Sequence, residues 1–108
     1  MIDLSIIIPV YNERNTIITI IDKINDLNIN KQIIVVDDYS TDGTKEILLK
    51  NKNKIDQYFY HDKNLGKGAA IKTAQKHIKG KYTIIQDADL EYDPKDYKKI
   101  IDIFNKNK

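Results

Sequence analysis

Two aspartates separated by one alanine, Asp87-Ala88-Asp89, directly follow the apolar run Tyr82-Thr83-Ile84-Ile85. On an extended backbone residues i and i+2 share a face, so Asp87 and Asp89 can direct carboxylate oxygens at one point. Mg²⁺ and Mn²⁺ prefer oxygen ligands, accept few protein carboxylates and leave positions for water or substrate phosphates. The pattern therefore predicts a Mg²⁺ or Mn²⁺ site for a phosphate-bearing substrate. The alternative is that the two acids cap a helix or line a solvated turn.

Three more polar clusters follow apolar runs in the same way: residues 9–13, Asp37-Asp38 and residues 61–68. In open α/β sheets, the carboxyl ends of parallel strands lie at one edge, and ligands bind there. We therefore expect the four clusters to converge on one ligand site.

Strands and helices must alternate to position these clusters. Short β-branched runs predict four strands, at residues 4–8, 32–36, 58–60 and 82–86. Apolar residues at helical spacing predict four helices: one capped by Asn12 or Asn15, one after the turn 40–43, one at 68–78 and one opened by Pro94. We expect Pro9 to end the first strand and Gly80 to end the third helix as a C-terminal glycine. The alternation predicts an α/β fold with a mostly parallel, Rossmann-like sheet and helices on both faces.

The composition, with 108 residues, 41% hydrophobic residues and a net charge of +2, is that of one globular domain. The lysines are distributed over all segments, so we expect no nucleic-acid binding. The absence of cysteine fits a reducing compartment. The sequence shows neither a secretory signal pattern nor an apolar run of about 20 residues. We therefore expect a cytoplasmic protein.

Four segments carry a family resemblance: Pro9-Val10-Tyr11-Asn12-Glu13, Val35-Val36-Asp37-Asp38-Tyr39-Ser40-Thr41-Asp42-Gly43-Thr44, Asn64-Leu65-Gly66-Lys67-Gly68-Ala69-Ala70 and Gln86-Asp87-Ala88-Asp89-Leu90-Glu91-Tyr92-Asp93-Pro94. Their order and spacing resemble family 2 glycosyltransferases, with the closest similarity to polyprenyl-phosphate sugar transferases such as dolichol-phosphate mannosyltransferase. The resemblance implies the nucleotide-binding half of a GT-A fold. It also implies a nucleoside-diphosphate-sugar donor and a metal-dependent, inverting transfer to an acceptor such as a polyprenyl phosphate.

The first two segments resemble the part of the family that contacts the nucleotide. Pro9, Tyr11 and Glu13 look like the first nucleotide-contacting segment, with Tyr11 beside the base. Asp38 resembles the acid that accepts a hydrogen bond from the ring N–H of the base. Uracil and guanine both present such a donor and adenine does not, so UDP- and GDP-linked sugars both stay open. We expect Asp37 to brace the turn.

The last two segments resemble the part that contacts the diphosphate. Lys67 lies between two glycines, which permit close backbone approach, at the start of a helix whose amino end attracts phosphate. By resemblance, Asp87 and Asp89 are the catalytic acids and hold the metal, with Glu91 as a candidate third ligand. Asp87 is also a candidate for a hydrogen bond to ribose. We assign no chemistry to His61, because a lone histidine beside a strand is usually a packing or turn residue.

The resemblance covers residues 1–108 as a single nucleotide-sugar-binding domain, which corresponds to an incomplete GT-A catalytic domain. Three explanations are open: a truncated chain, a subunit completed by a partner or by homodimerisation, or a protein that binds nucleotide-sugars without transferring them. A non-catalytic regulatory module is therefore the alternative function. A signalling receiver domain is not favoured, because it needs an acidic pair where this chain has Pro9-Val10-Tyr11. A lipid-phosphate acceptor would place the protein at the cytosolic face of a membrane.

Overall fold

Strands and helices alternate in the structure, a computed structural model that describes residues 1–89. The elements are β1 (Leu4–Val10), α1 (Ile17–Asn25), β2 (Lys31–Asp37), α2 (Thr44–Lys50), a 3-10 turn (Lys52–Lys54), β3 (Gln57–Tyr60), α3 (Lys67–Gln75) and β4 (Tyr82–Ile85). The prediction of an α/β fold is confirmed. The helix predicted after Pro94 lies outside the described residues. No helix within residues 1–89 is long and apolar enough to cross a membrane.

The four described strands form one parallel sheet in the order β3-β2-β1-β4. In the register of the sheet, Ile7 of β1 pairs with Ile34 of β2 and with Ile85 of β4. The central strands β1 and β2 are buried along almost their whole length. Parallel pairing places the carboxyl ends of all four strands at one edge, as the sequence predicted.

Helices cover both faces of the sheet, because alternate residues of a buried strand point to opposite faces. On one face α1 and α2 pack against the sheet through a cluster of Ile17, Ile20, Ile21, Ile24 and Leu48 with Leu4, Ile6, Ile8, Val10, Ile33 and Val35. On the other face α3 contributes only the small side chains Ala70 and Ala74, which pack against Ile7, Ile34 and Val36. Each fully buried isoleucine contributes about 1.5–3 kcal/mol through removal of its apolar surface from water.

Pro9 does not end β1, contrary to the prediction. The strand continues through Pro9, which pairs with Val36, to Val10. Odd-numbered residues of β1 direct their backbone polar groups toward β4, since the carbonyl of Ile7 accepts a hydrogen bond from the N–H of Gln86 at 2.9 Å. The pairing with β4 ends at Ile7, so the missing N–H of Pro9 falls beyond that ladder and removes no sheet hydrogen bond.

Gly80 does not end α3 as a left-handed C-terminal residue, so the prediction for this glycine is wrong. The helix ends at Gln75, and the glycines with positive φ in the described chain are Gly43 and Gly66. Gly80 instead lies directly against β1, where a Cβ would be 2.4 Å from the backbone nitrogen of Ser5. Its N–H donates to the Ser5 hydroxyl at 2.7 Å. Glycine is required here for close approach of two backbones.

Neither Asn12 nor Asn15 caps α1. The helix begins at Ile17, with Thr16 in the N-cap position and no side-chain capping hydrogen bond. Asn12 adopts a left-handed φ of 53°, and its side-chain oxygen accepts a hydrogen bond from the Thr41 N–H at 2.7 Å. Asn12 therefore joins two loops at the carboxyl edge of the sheet.

Candidate functional site

A cleft of about 180 Å³ opens at the carboxyl edge of the sheet, between the loops that follow β1, β2 and β4 and the start of α3. Its lining residues are Pro9, Val10, Tyr11, Glu13, Asp38, Lys67, Ala70, Asp87, Ala88 and Asp89. Every site residue that we predicted within residues 1–89 is among them. The four polar clusters therefore meet at one cleft, as expected, whereas the binding of a ligand there stays a prediction. The candidate metal ligand Glu91 lies outside the described residues.

Hydrogen bonds join the loop after β1 to the loop after β2 and to the start of α2. Four of them have a backbone N–H donor: Asn12 N–H to Ser40 Oγ (2.9 Å), Glu13 N–H to Thr44 Oγ1 (3.1 Å), Arg14 N–H to Asp42 Oδ2 (3.3 Å) and Thr41 N–H to Asn12 Oδ1 (2.7 Å). These bonds satisfy backbone N–H groups that no strand or helix pairs. They hold Tyr11 and Glu13 in a fixed position relative to Asp38.

Asp38 is 4% exposed at the end of β2, and its carboxylate organises the loop that leads to α3. Oδ1 accepts hydrogen bonds from the Leu65 N–H (2.9 Å) and from His61 Nδ1 (2.8 Å), and Oδ2 accepts one from the Gly66 N–H (2.8 Å). Burial alone would raise the pKa of Asp38, but these hydrogen bonds outweigh it and lower the pKa below its ordinary value. Asp38 is therefore held in its ionised form.

Lys67 and Asp87 meet inside the cleft. Lys67 Nζ donates to Asp87 Oδ1 at 2.6 Å, with 55% of the lysine side chain and 30% of the aspartate side chain exposed. An ion pair this accessible contributes about 0–1 kcal/mol, so either partner can exchange it for a ligand at little cost. Gly66 precedes Lys67 with a φ of 95°, a left-handed conformation that glycine adopts without strain.

The turn that carries Asp87 and Asp89 is anchored at the residue between them. Ala88 is buried, and its carbonyl accepts a hydrogen bond from the Thr16 hydroxyl at the start of α1. Both carboxylates line the cleft and offer hard oxygen donors, which is the ligand chemistry of Mg²⁺ and Mn²⁺. No group of three or more His, Cys, Asp or Glu that could hold a metal occurs within residues 1–89. Two carboxylates beside open solvent fit a cation that completes its shell with water and phosphate.

Asp37 faces the protein interior, as we expected of a bracing residue. It is fully buried, and its Oδ1 accepts a hydrogen bond from the Ser40 N–H at 2.9 Å, which confirms that prediction. Its Oδ2 has no hydrogen-bond partner among the described residues. Burial raises the pKa of Asp37, and hydrogen bonding with Ser40 only partly offsets this effect.

We expect Asp37→Asn to gain stability relative to the wild type as the pH rises from about 4 to 7. A carboxyl group whose pKa is raised by folding contributes stability below its unfolded pKa of about 3.9 and loses it as the pH rises through the folded pKa. Asparagine keeps the oxygen that accepts from Ser40 and carries no charge at any pH. The measurement is the free energy of unfolding in urea for both proteins at each pH, and a difference that does not change with pH would contradict the raised pKa.

The fold and the cleft together define an α/β protein with a cleft at the carboxyl edge of a parallel sheet. The sequence profile described as "Glycosyl transferase family 2" matches residues 5–108. The chain therefore belongs to glycosyl transferase family 2, which confirms the resemblance carried by the four motifs.

Three proteins illustrate the similarity. Dolichyl-phosphate beta-glucosyltransferase of Saccharomyces cerevisiae is 36% identical over 115 residues, which cover 95% of this chain and 34% of the yeast protein. The structure of mannosyltransferase PcManGT from Pyrobaculum calidifontis, in complex with GDP-Man and Mn²⁺, superposes with a TM-score of 0.72 at 29% identity, covering 80% of this chain and 27% of that one. S. aureus TarS 1-349 in complex with UDP-GlcNAc has a TM-score of 0.83, 24% identity and coverage of 97% and 32%, and shows the shared fold.

The chain spans about a third of the length of the relatives that it matches. The comparisons confirm the family and the GT-A type of fold, to which the described sheet belongs.

Proposed function

We propose that this chain is the donor-binding part of a glycosyltransferase that moves a sugar from a nucleoside-diphosphate sugar to an acceptor. The observation that carries the proposal is the single cleft in which Asp38 and Tyr11 lie together with Lys67, Asp87 and Asp89. One half of the cleft suits a nucleoside, and the other half suits a diphosphate with a divalent cation. The family membership and the named activities of the relatives support this assignment.

The nucleoside half depends on the loops after β1 and β2. The side chain of Tyr11 is 48% exposed, so its ring is available to lie against a base, an interaction that contributes roughly 1–3 kcal/mol. Asp38 is ionised and can accept a hydrogen bond from a ring N–H. Glu13 lines the same cleft and is proposed to contact the base or ribose. Both UDP and GDP satisfy these groups, and the two solved structures contain GDP-Man and UDP-GlcNAc.

The diphosphate half depends on α3 and the turn after β4. Lys67 is the first residue of α3, so its ammonium group and the amino end of that helix both offer positive charge to phosphate. Asp87 and Asp89 would hold Mg²⁺ or Mn²⁺, and Glu91 is proposed as a third ligand. A bound cation supplies stabilisation of the negative charge that develops on the departing nucleoside diphosphate. We propose that Lys67 leaves Asp87 for a phosphate oxygen when the donor binds.

The proposed acceptor is a polyprenyl phosphate, and the reaction inverts the anomeric carbon by direct displacement. A lipid phosphate is already anionic at neutral pH, so it can attack without a general base, whereas a hydroxyl acceptor would need one. The name of the yeast relative supports this acceptor. Such a substrate would place the protein at the cytosolic face of a membrane, with acceptor-binding parts supplied by further sequence, a partner subunit or a second copy.

Transfer can be tested in protein that contains this chain together with its acceptor-binding parts, with labelled UDP-glucose or GDP-mannose, a short polyprenyl phosphate and Mn²⁺. We expect label to appear in the organic extract and to require Mn²⁺. Binding of the donor without labelled lipid would instead favour the alternative, a nucleotide-sugar-binding module without transfer. Omission of the lipid and omission of Mn²⁺ are the controls, because the proposed reaction needs both.

A further inference from the structure

We propose that His61 sets the base preference of the cleft by holding Asp38 as a fixed hydrogen-bond acceptor. The inference rests on the proposed nucleotide-sugar site and adds a specificity-determining residue to it. His61 itself is a positioning residue, since it lies behind Asp38 and is absent from the lining of the cleft.

The contacts of His61 join three parts of the fold. Its side chain is 11% exposed, with Nδ1 2.8 Å from Asp38 Oδ1 and Nε2 2.8 Å from the hydroxyl of Thr73 on α3. Its backbone N–H donates to the carbonyl of Asp37 at 2.8 Å. His61 therefore connects the end of β2, the loop before α3 and α3 itself.

The direction of the contact with Asp38 follows from the chemistry of its partners. An ionised carboxylate only accepts hydrogen bonds, so Nδ1 must carry the proton that lies between His61 and Asp38. The Thr73 hydroxyl lies 3.1 Å from the Ala69 carbonyl as well as beside Nε2. By rotating, this hydroxyl can donate to Nε2 or accept from it, so the ring is satisfied at both nitrogens.

The Asp38 carboxylate keeps one position at which it can accept a hydrogen bond from a ligand. A carboxylate has about four lone-pair positions, and His61, Leu65 and Gly66 donate to three of those of Asp38. The two donors to Oδ1 fill that oxygen, so the remaining position is on Oδ2. A ligand at that position must bring a donor. Uracil presents a ring N–H, whereas cytosine, of the same size and shape, presents an unprotonated ring nitrogen.

The wild-type chain is therefore expected to bind UDP more tightly than CDP by roughly tenfold or more, the effect of one hydrogen bond to a charged group. The matched variants are His61→Asn and His61→Gln. The asparagine amide nitrogen is as far along the side chain as Nδ1 and can still donate to Asp38. The glutamine amide extends further, to the level of Nε2, and retains the contact with Thr73 instead.

We expect His61→Asn to keep the ratio of UDP to CDP affinity within about threefold of the wild type. We expect His61→Gln to lower that ratio by more than threefold, because Asp38 remains an acceptor but loses the side-chain donor that fixes it. The measurement is calorimetric titration of the 108-residue chain with each nucleotide in the presence of Mn²⁺. Circular dichroism of each variant reports folding, and the ratio is taken on folded protein. A general loss of packing would weaken both nucleotides together, whereas a positioning role changes their ratio.

The outcomes separate this inference from the proposed function. If the wild type prefers UDP and both variants keep that preference, or lose it equally, the role of His61 is overturned while the nucleotide site stands. If the wild type binds UDP and CDP equally, Asp38 does not discriminate between the bases by accepting a hydrogen bond from the ring N–H, and the inference fails. If the wild type binds neither these nucleotides nor GDP, the proposed function itself fails.

Discussion

Asp89→Ala is expected to remove the gain in UDP or GDP affinity that Mn²⁺ provides, which we expect to be at least about tenfold. Changes to groups that merely support metal ligands typically reduce metal affinity 10–100-fold, so loss of a ligand should have no smaller effect. Asp89 is exposed, and we expect the free energy of unfolding to change by about 0.5 kcal/mol or less. The measurement is nucleotide affinity with and without Mn²⁺.

Asp3→Ala is the matched control for this prediction. Asp3 is another exposed aspartate, but it precedes β1 at the opposite edge of the sheet. The same charge is removed far from the cleft, so the Mn²⁺-dependent gain should persist. Full retention of that gain in Asp89→Ala would remove Asp89 from the proposed metal site, and an equal loss in both variants would indicate a general effect of charge.

Gly80→Ala is expected to lower the free energy of unfolding by roughly 3 kcal/mol, the upper part of the range for overpacking a core. The added Cβ would lie 2.4 Å from the backbone nitrogen of Ser5 and 2.8 Å from the carbonyl carbon of Leu4. Both atoms belong to β1, which is paired on both sides and cannot move without disturbing the sheet. Urea unfolding followed by circular dichroism measures the change.

The region around Gly80 also holds buried polar groups that depend on the close approach. Ser5 Oγ donates to Gln32 Oε1 at 2.6 Å and accepts from the Gly80 N–H at 2.7 Å. Gln32 Oε1 in turn accepts from the Lys79 N–H at 3.0 Å. Separating Gly80 from β1 would leave these groups unpaired in the interior, and each unpaired group costs about 1–3 kcal/mol.

Gly68→Ala provides the control for the glycine substitution. Gly68 lies within α3, and an added Cβ would meet no atom within 4 Å. Alanine is favoured over glycine in helices by about 0.5–1 kcal/mol, so this variant should be slightly more stable than the wild type. A similar loss of stability in both variants would show that close approach to β1 is not the reason for glycine at position 80.

The sequence could predict the order of elements because hydrophobic periodicity reports burial directly. Ile17, Ile20, Ile21 and Ile24 recur at helical spacing and are all fully buried on α1. Predictions about single residues were wrong where the role of the residue depends on contacts with distant parts of the chain. Pro9 lies within β1 because its missing N–H faces a position where no strand of residues 1–89 pairs, and no local sequence rule contains that information.

The candidate site likewise has features that could be predicted from the sequence and features that could not. Its charged residues could be predicted because each follows a strand, and parallel pairing brings those positions to one edge. The contact between His61 and Thr73 could not be predicted, because it depends on how α3 lies against the sheet. The pairing of Lys67 with Asp87 likewise joins residues from two different elements, and only tertiary packing brings them within 2.6 Å.

Calorimetric titration of the chain with UDP and GDP, each with and without Mn²⁺, is the decisive test of nucleotide binding in this cleft. We predict that at least one of the two nucleotides binds and that Mn²⁺ increases its affinity, because the diphosphate and the carboxylates of Asp87 and Asp89 would share the cation. Absence of binding by both nucleotides, with and without Mn²⁺, in protein shown to be folded would rule out a nucleotide site in this cleft.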